Sequence, residues 1–196
     1  VGNDLTALTQ HEAWFGAGRD HGRFALVTVG VGVGYGLVVD GGVITSPDAE
    51  LGLLGAIPVP DGARPPVASP AMDCLTDTAL ERAWAAAGGG PARAGAIVRR
   101  AADGDRTAVA VCASFARRLG RLIGMLAAFT LPEVVVVAGE RAAVASLFEE
   151  QVMVGIAAVR RASARSPTIA VREHERVDWA RGAACLALRS RVMGEL

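Results

Sequence analysis

Lysine is absent from this 196-residue sequence: all twenty basic residues are arginine, and twenty acidic residues cancel them. Zero formal net charge leaves no overall electrostatic case for nucleic acid or a membrane surface as a direct partner. The arginine bias runs uniformly along the chain, so it reads as GC-rich codon usage rather than as a binding site. Cysteine is scarce as well. Cys74, Cys112 and Cys185 lie far apart, odd in number and without CxxC spacing. That argues against a secreted disulfide framework and offers no self-evident zinc site. Every apolar run meets an Arg or Gly well before the ~18 residues a membrane span needs. No charged segment precedes an apolar run at the start, as a signal peptide would require, and no repeat of roughly 20–50 residues is visible.

What remains is the composition of a globular domain, 52% apolar and 20% charged, long enough for one full core and short for two. The expectation is a single domain over 1–196, in the cytoplasm. The chain opens on Val1, which fits a piece of a longer protein.

Residues 3–18 predict a helix, with Asn3 or Asp4 able to cap it, apolar Leu5, Leu8, Trp14 and Phe15 inside it, and Gly16 and Gly18 to stop it. Three strands follow at Phe24–Val29, Leu37–Val39 and Val43–Thr45, and turns this short force antiparallel neighbours. Five prolines between Pro58 and Pro70 predict an irregular surface loop, inserted over about 55–71. Helices are expected at about 72–87, 91–102 and 105–130, the last with Asp105 as cap. Its apolar stripe holds Val111, Phe115, Leu119, Leu122, Leu126 and Phe129, with Arg117, Arg118 and Arg121 largely off it. Pro132 ends that helix. The β-branched run Val134–Val137 suits a parallel strand covered on both faces. A helix at 141–161, a strand at 168–172 and a helix at 178–192 complete an α/β order, that of a ribonuclease-H-like, actin-like ATPase half.

Gly30-Val31-Gly32-Val33-Gly34-Tyr35-Gly36 is neither a dinucleotide fingerprint nor a Walker loop, because it leads into a strand and lacks Lys-Ser/Thr. A glycine hairpin between strands is a tight turn or, with its N–H groups unshielded, a phosphate cradle. His11-Glu12 is not a zincin motif, since Phe15 stands where the second His would be. His174, among Arg172, Glu173 and Glu175, reads as a solvated edge.

Four segments in order carry a resemblance: Asn3-Asp4 before a helix ending Trp14-Phe15-Gly16-Ala17-Gly18, the run Val27 to Gly41, Ala49-Glu50-Leu51-Gly52, and Pro132 to Gly139. Together they resemble the ROK family of bacterial repressors, open-reading-frame proteins and sugar kinases, specifically its C-terminal part. The resemblance implies sugar contacts from Asn3, Asp4 and Glu50, with Asp4 the base if the chain were a kinase. It implies a phosphate cradle at Gly30, Gly32 and Gly34. Capping by Asn3 and dipole complementation by Asp4 are the competing roles.

The family pattern is degraded here. Its zinc-binding and sugar-binding His is Leu53, its Cys-rich loop retains only Cys74, and its second sugar-binding Glu is Thr76. One thiolate cannot build a tetrahedral zinc site, so Cys74 reads as a small buried hydrophobe. The phosphate-contacting Thr is Val31, and Glu140 follows the late strand where a glycine run is usual. The resemblance therefore implies no catalytic residue, no bound zinc or ATP, and vestigial phosphate glycines. It points to the effector and self-association domain of a transcriptional regulator. That domain would form a dimer or tetramer, respond to a sugar or sugar phosphate, and touch DNA only through a domain outside this chain. A sugar kinase and a purely dimerising domain are the alternatives.

Overall fold

The computed structural model describes residues 4–45, 53–63, 65–173 and 176–193. Its first helix, α1 (Asp4–Phe15), leads into three antiparallel strands: β1 (Arg23–Val29), β2 (Val33–Val39) and β3 (Gly42–Val43). A short 3-10 turn at Leu53–Ala56 precedes a small ribbon of β4 (Pro58–Pro60) and β5 (Ala68–Pro70). Helices α2 (Ala71–Cys74), α3 (Asp77–Ala86), α4 (Ala94–Ala102) and α5 (Arg106–Thr130) follow. Strand β6 (Val134–Ala138), helices α6 (Ala143–Leu147) and α7 (Glu149–Ala157), strand β7 (Thr168–Val171) and helix α8 (Arg176–Met193) end the chain. The main sheet has the order β3-β2-β1-β6-β7, with β6 parallel to both β1 and β7.

The expected order of elements is present, with several local differences. β2 starts at Val33, four residues earlier than expected, so the second half of the glycine run is strand rather than turn. The ribbon replaces the irregular loop expected over 58–70. Its prolines stand at strand ends, at Pro58, Pro60 and Pro70, where a missing N–H costs least. The helix expected at 72–87 is broken at Leu75–Thr76, because Thr76 leaves the helix and caps a new one, its Oγ1 accepting from the Ala79 N–H at 3.3 Å. The 141–161 helix is likewise divided at Phe148. Asp105 does cap α5, accepting from the Ala108 N–H at 3.0 Å. His174 lies outside the described residues.

Val134 to Ala138 is buried throughout, as a strand flanked by parallel neighbours and covered on both faces must be. Alternation sends Val135 and Val137 with Ala25, Val27 and Val29 to one face, where they meet Phe115, Leu119, Leu122 and Ile123 of α5. Val134 and Val136 with Phe24 and Leu26 go to the other, beneath Leu8 of α1, with Trp179 of α8 packed alongside. On the first face α5 and α7 cross at bare glycines. A Cβ on Gly155 would run into the Arg117 carbonyl, and one on Gly120 into the Val152 carbonyl.

The stripe of α5 departs from expectation at both margins. Leu126 is half-buried and Phe129 is 87% exposed, whereas Arg121 is only 8% exposed. The helix is wrapped by α7 and the β4–β5 ribbon as well as the sheet, so its covered surface is wider than one stripe. On the opposite face, α1 buries a polar row: Thr9, Gln10, His11 and Glu12. Glu12 is fully buried, with Oε2 accepting from the Ala17 N–H at 2.7 Å and Oε1 lying 3.9 Å from Arg172 Nε. His11 Nε2 lies 3.6 Å from Asp178 Oδ1. Trp14 and Phe15, read as apolar helix positions, are exposed.

Candidate functional site

The parallel pair β1 and β6 ends at one rim of the sheet, where an α/β fold ordinarily holds its ligand. From β1 the chain passes into Gly30, and from β6 into Gly139-Glu140-Arg141. Gly139 has φ +91° and lies so close to Val29 that a Cβ would strike that residue's carbonyl, so only glycine fits the turn. Arg141 N–H donates to the same Val29 carbonyl at 3.0 Å.

A third segment closes the floor. Gly30 bridges to Thr76, and the Asp77 N–H donates to the Gly30 carbonyl at 2.7 Å. Asp77, first residue of α3, takes a two-point grip from Arg141: Nε to Oδ1 at 2.6 Å and Nη2 to Oδ2 at 3.1 Å. Such a forked pair is among the strongest polar contacts a protein makes. It ties together residues 64 apart in sequence. Sequence reasoning missed this clamp, since no local pattern joins the two positions; the available signal was Thr76-Asp77 as a helix start.

The expected phosphate glycines divide. Gly30 is buried, and a Cβ there would collide with the Glu140 carboxylate, which therefore stands directly over the hairpin. Gly32 faces open space, beside Val31 at 76% exposure. Gly34 lies within β2, paired with Thr28 and covered by Leu5. Leu5 on Gly34 and Thr9 on Gly36 lay α1 along β2, with its N-terminus at the hairpin end. That puts Asp4 at the same rim as the hairpin. Asp4 is exposed, its Oδ1 accepting from the Leu5 N–H at 2.7 Å. Asn3 and Glu50 lie outside the described residues.

A profile of the ROK family matches residues 1–190. The chain belongs to the ROK family. Over 80 residues, 40% of this chain, it is 38% identical to part of the Thermotoga maritima glucokinase, covering 23% of that protein. A ROK family glucokinase from Streptomyces griseus, solved with glucose and AMPPNP, superposes with TM-score 0.77 at 21% identity, over 95% of this chain and 67% of its own. A ROK family transcriptional regulator, a homologue of the E. coli MLC protein, superposes with TM-score 0.81 at 22% identity, over 96% of this chain and 51% of its own. At these identities the likeness is one of fold, the five-stranded mixed sheet of the ROK sugar kinases. The chain spans about two thirds of that kinase and half of that regulator.

The zinc and nucleotide that the ROK resemblance implies do not fit the residues present. Cys74 is half-buried, its Sγ directed at the Ser69 carbonyl at 3.9 Å. Burial raises the pKa of its thiol, against a smaller lowering by Arg118, so the thiolate a metal would need is disfavoured. Thr76 is turned inward, donating to the Met72 carbonyl at 3.0 Å while capping α3. Among the described residues no group of three or more His, Cys, Asp or Glu could hold a metal ion. At the hairpin the Glu140 carboxylate opposes a triphosphate. The adjacent arginine is already engaged by Asp77. No helix of the described residues is long and apolar enough to cross a membrane.

Proposed function

We propose that this chain is the C-terminal effector-sensing and self-association domain of a ROK-family transcriptional regulator, responsive to a sugar and without kinase activity. The observation that carries this reading is Glu140 over Gly30. Phosphoryl transfer is catalysed almost wholly by positioning and by cationic stabilisation of the phosphates. Here the cradle faces a carboxylate, and Arg141, which follows it in sequence, is held by Asp77. Asn3, Asp4 and Glu50 would supply the sugar contacts, in the cytoplasm, and DNA would be bound through a domain outside this chain. A second copy would cover Phe129 and Leu131, which stand 87% and 63% exposed at the C-terminal end of α5.

The kinase reading rests on a specific residue too. Asp4, at the hairpin rim, would align a sugar hydroxyl for attack as a general base. A base acts only on a hydroxyl held near attack geometry, and an error of about 1 Å costs on the order of 100-fold. The side chains that would hold that hydroxyl are replaced by Leu53 and Thr76.

A coupled ADP-release assay on the complete gene product, with hexoses and amino sugars, separates the readings. The expected result is no sugar-dependent turnover above background. Turnover near ~1 per second, in the kinase range, overturns the proposal. Light scattering of the same material is expected to give a dimer or larger.

A further inference from the structure

Where β5, α2, α3 and α5 meet, they leave a cavity of about 310 Å³ whose lining shares nothing with Asp4 or the glycine hairpin. It has two zones. The floor is apolar, formed by Leu80 of α3 with Val111 and Phe115 of α5, all three buried. Helical phase continues that face of α5 outward: Val111, Phe115 and Arg118 stand at i, i+4 and i+7. The mouth is therefore charged. Arg118, half-buried, lines it together with Asp73, which is exposed on α2.

The two charges flank one residue. Asp73 precedes Cys74 in the chain, and Arg118 reaches the Cys74 thiol; burial raises that thiol's pKa most, Arg118 lowers it and Asp73 raises it. Among the described residues neither Asp73 nor Arg118 makes an ion pair within 4 Å, whereas Asp77 and Glu81 on the neighbouring helix both do. Asp61 also feels Arg118, although the Ala63 and Val67 N–H groups hold its carboxylate first. Arg82 is at the mouth too, its Nη2 donating to the Asp73 carbonyl at 3.0 Å. A ligand of one sign meets repulsion here: an anion from Asp73, a cation from Arg118. A ligand that carries both signs on adjacent groups avoids it.

We propose that this cavity binds a free α-amino acid with a branched aliphatic or aromatic side chain, its carboxylate on Arg118, its ammonium on Asp73 and its side chain over Leu80, Val111 and Phe115. A planar guanidinium matches carboxylate oxygens two at a time. Ligand pockets run from about 300 to 1,000 Å³, so this one, at the small end, suits a single amino acid. Solvent at the mouth screens both charge contacts, and burial of the side chain therefore sets the order of affinities. This site stands apart from the hairpin rim and does not depend on whether the chain is a regulator or a kinase.

Calorimetry and ligand-observed NMR on the intact protein test it, with leucine and phenylalanine as probes and alanine, leucine methyl ester and N-acetylleucine as comparisons. Saturable binding of leucine or phenylalanine is expected, about 10-fold or more tighter than alanine. The ester lacks the carboxylate charge and N-acetylleucine lacks the ammonium, so each is expected to bind more weakly than leucine. Arg118→Gln is expected to weaken leucine but not the ester. Asp73→Asn is expected to weaken leucine and, by removing repulsion, to tighten N-acetylleucine. A merely structural role for either residue would move all ligands alike. No saturable binding of leucine or phenylalanine overturns the proposal. So does equal binding of leucine and its two derivatives, or a substitution pattern that is not crossed in this way. Should Arg118→Gln fail to fold, the response of Asp73→Asn to leucine and N-acetylleucine decides alone.

Discussion

The two faces of the sheet are filled by opposite means. Beneath α5 and α7 the packing is apolar and close, with helix backbones meeting at Gly120 and Gly155 and large side chains such as Leu119 and Ile123 wholly buried. Beneath α1 and α8 the apolar cluster is small, and burial is shared with Thr9, Gln10, His11 and Glu12. The first face needs only shape. The second needs each polar group matched to a partner. The face that carries Asp4 at its tip is therefore held by directional contacts, whereas the other serves as its rigid backing.

Deleting volume from the apolar face should break this contrast most sharply. Leu119→Ala removes a fully buried side chain from the centre of α5 and is expected to cost about 2–5 kcal/mol, read from denaturant unfolding. Next comes Gly155→Ala. Alanine favours helix over glycine by about 1 kcal/mol, yet the new methyl meets the Arg117 carbonyl and must push α7 off α5. A net loss of about 1–3 kcal/mol is expected; a gain in thermal midpoint would mean the helices are not in close contact.

On the polar face the effect should be smaller. Glu12→Gln keeps an oxygen for the Ala17 N–H but loses the charge facing Arg172, itself 47% exposed. A loss of about 1 kcal/mol is expected, discounted for solvent around the arginine. The smallest change lies at the sheet margin. Glu133 is held below its usual pKa by a hydrogen bond from His21 at 3.2 Å and one from the Arg23 N–H at 3.1 Å. A depressed carboxylate stabilises the fold above its unfolded pKa, and that contribution is lost as pH falls through the folded value. Glu133→Gln should therefore lower stability slightly across the neutral range, match the parent at acid pH, and so flatten the acid limb of a stability-against-pH curve below about pH 4.5.

What could be read from sequence follows the range of the interactions. The Val134–Val137 run and the Asp105 cap depend on neighbours within a few residues, and both were legible. Thr76 was not: it ends one helix because Gly30, 46 positions earlier, bridges to it. Arg121 lay largely off the apolar stripe by helical phase, and nothing local reveals that the chain after β4 would cover it. At the rim, Asp4 and the glycine hairpin were visible as motifs, and Glu140 as a departure. The Asp77–Arg141 clamp was invisible because pairing of distant charges leaves no periodic trace.

That clamp also constrains the routes by which the rim could change. Replacing Glu140 alone would remove the carboxylate above Gly30 but leave Arg141 gripped at both nitrogens by Asp77. Replacing Asp77 alone would release Arg141 but leave the Glu140 carboxylate over Gly30. Each single step leaves one obstacle to an incoming phosphate. Clearing the carboxylate and freeing the guanidinium thus takes two substitutions, at Glu140 and at the Asp77 partner of Arg141, in distant segments.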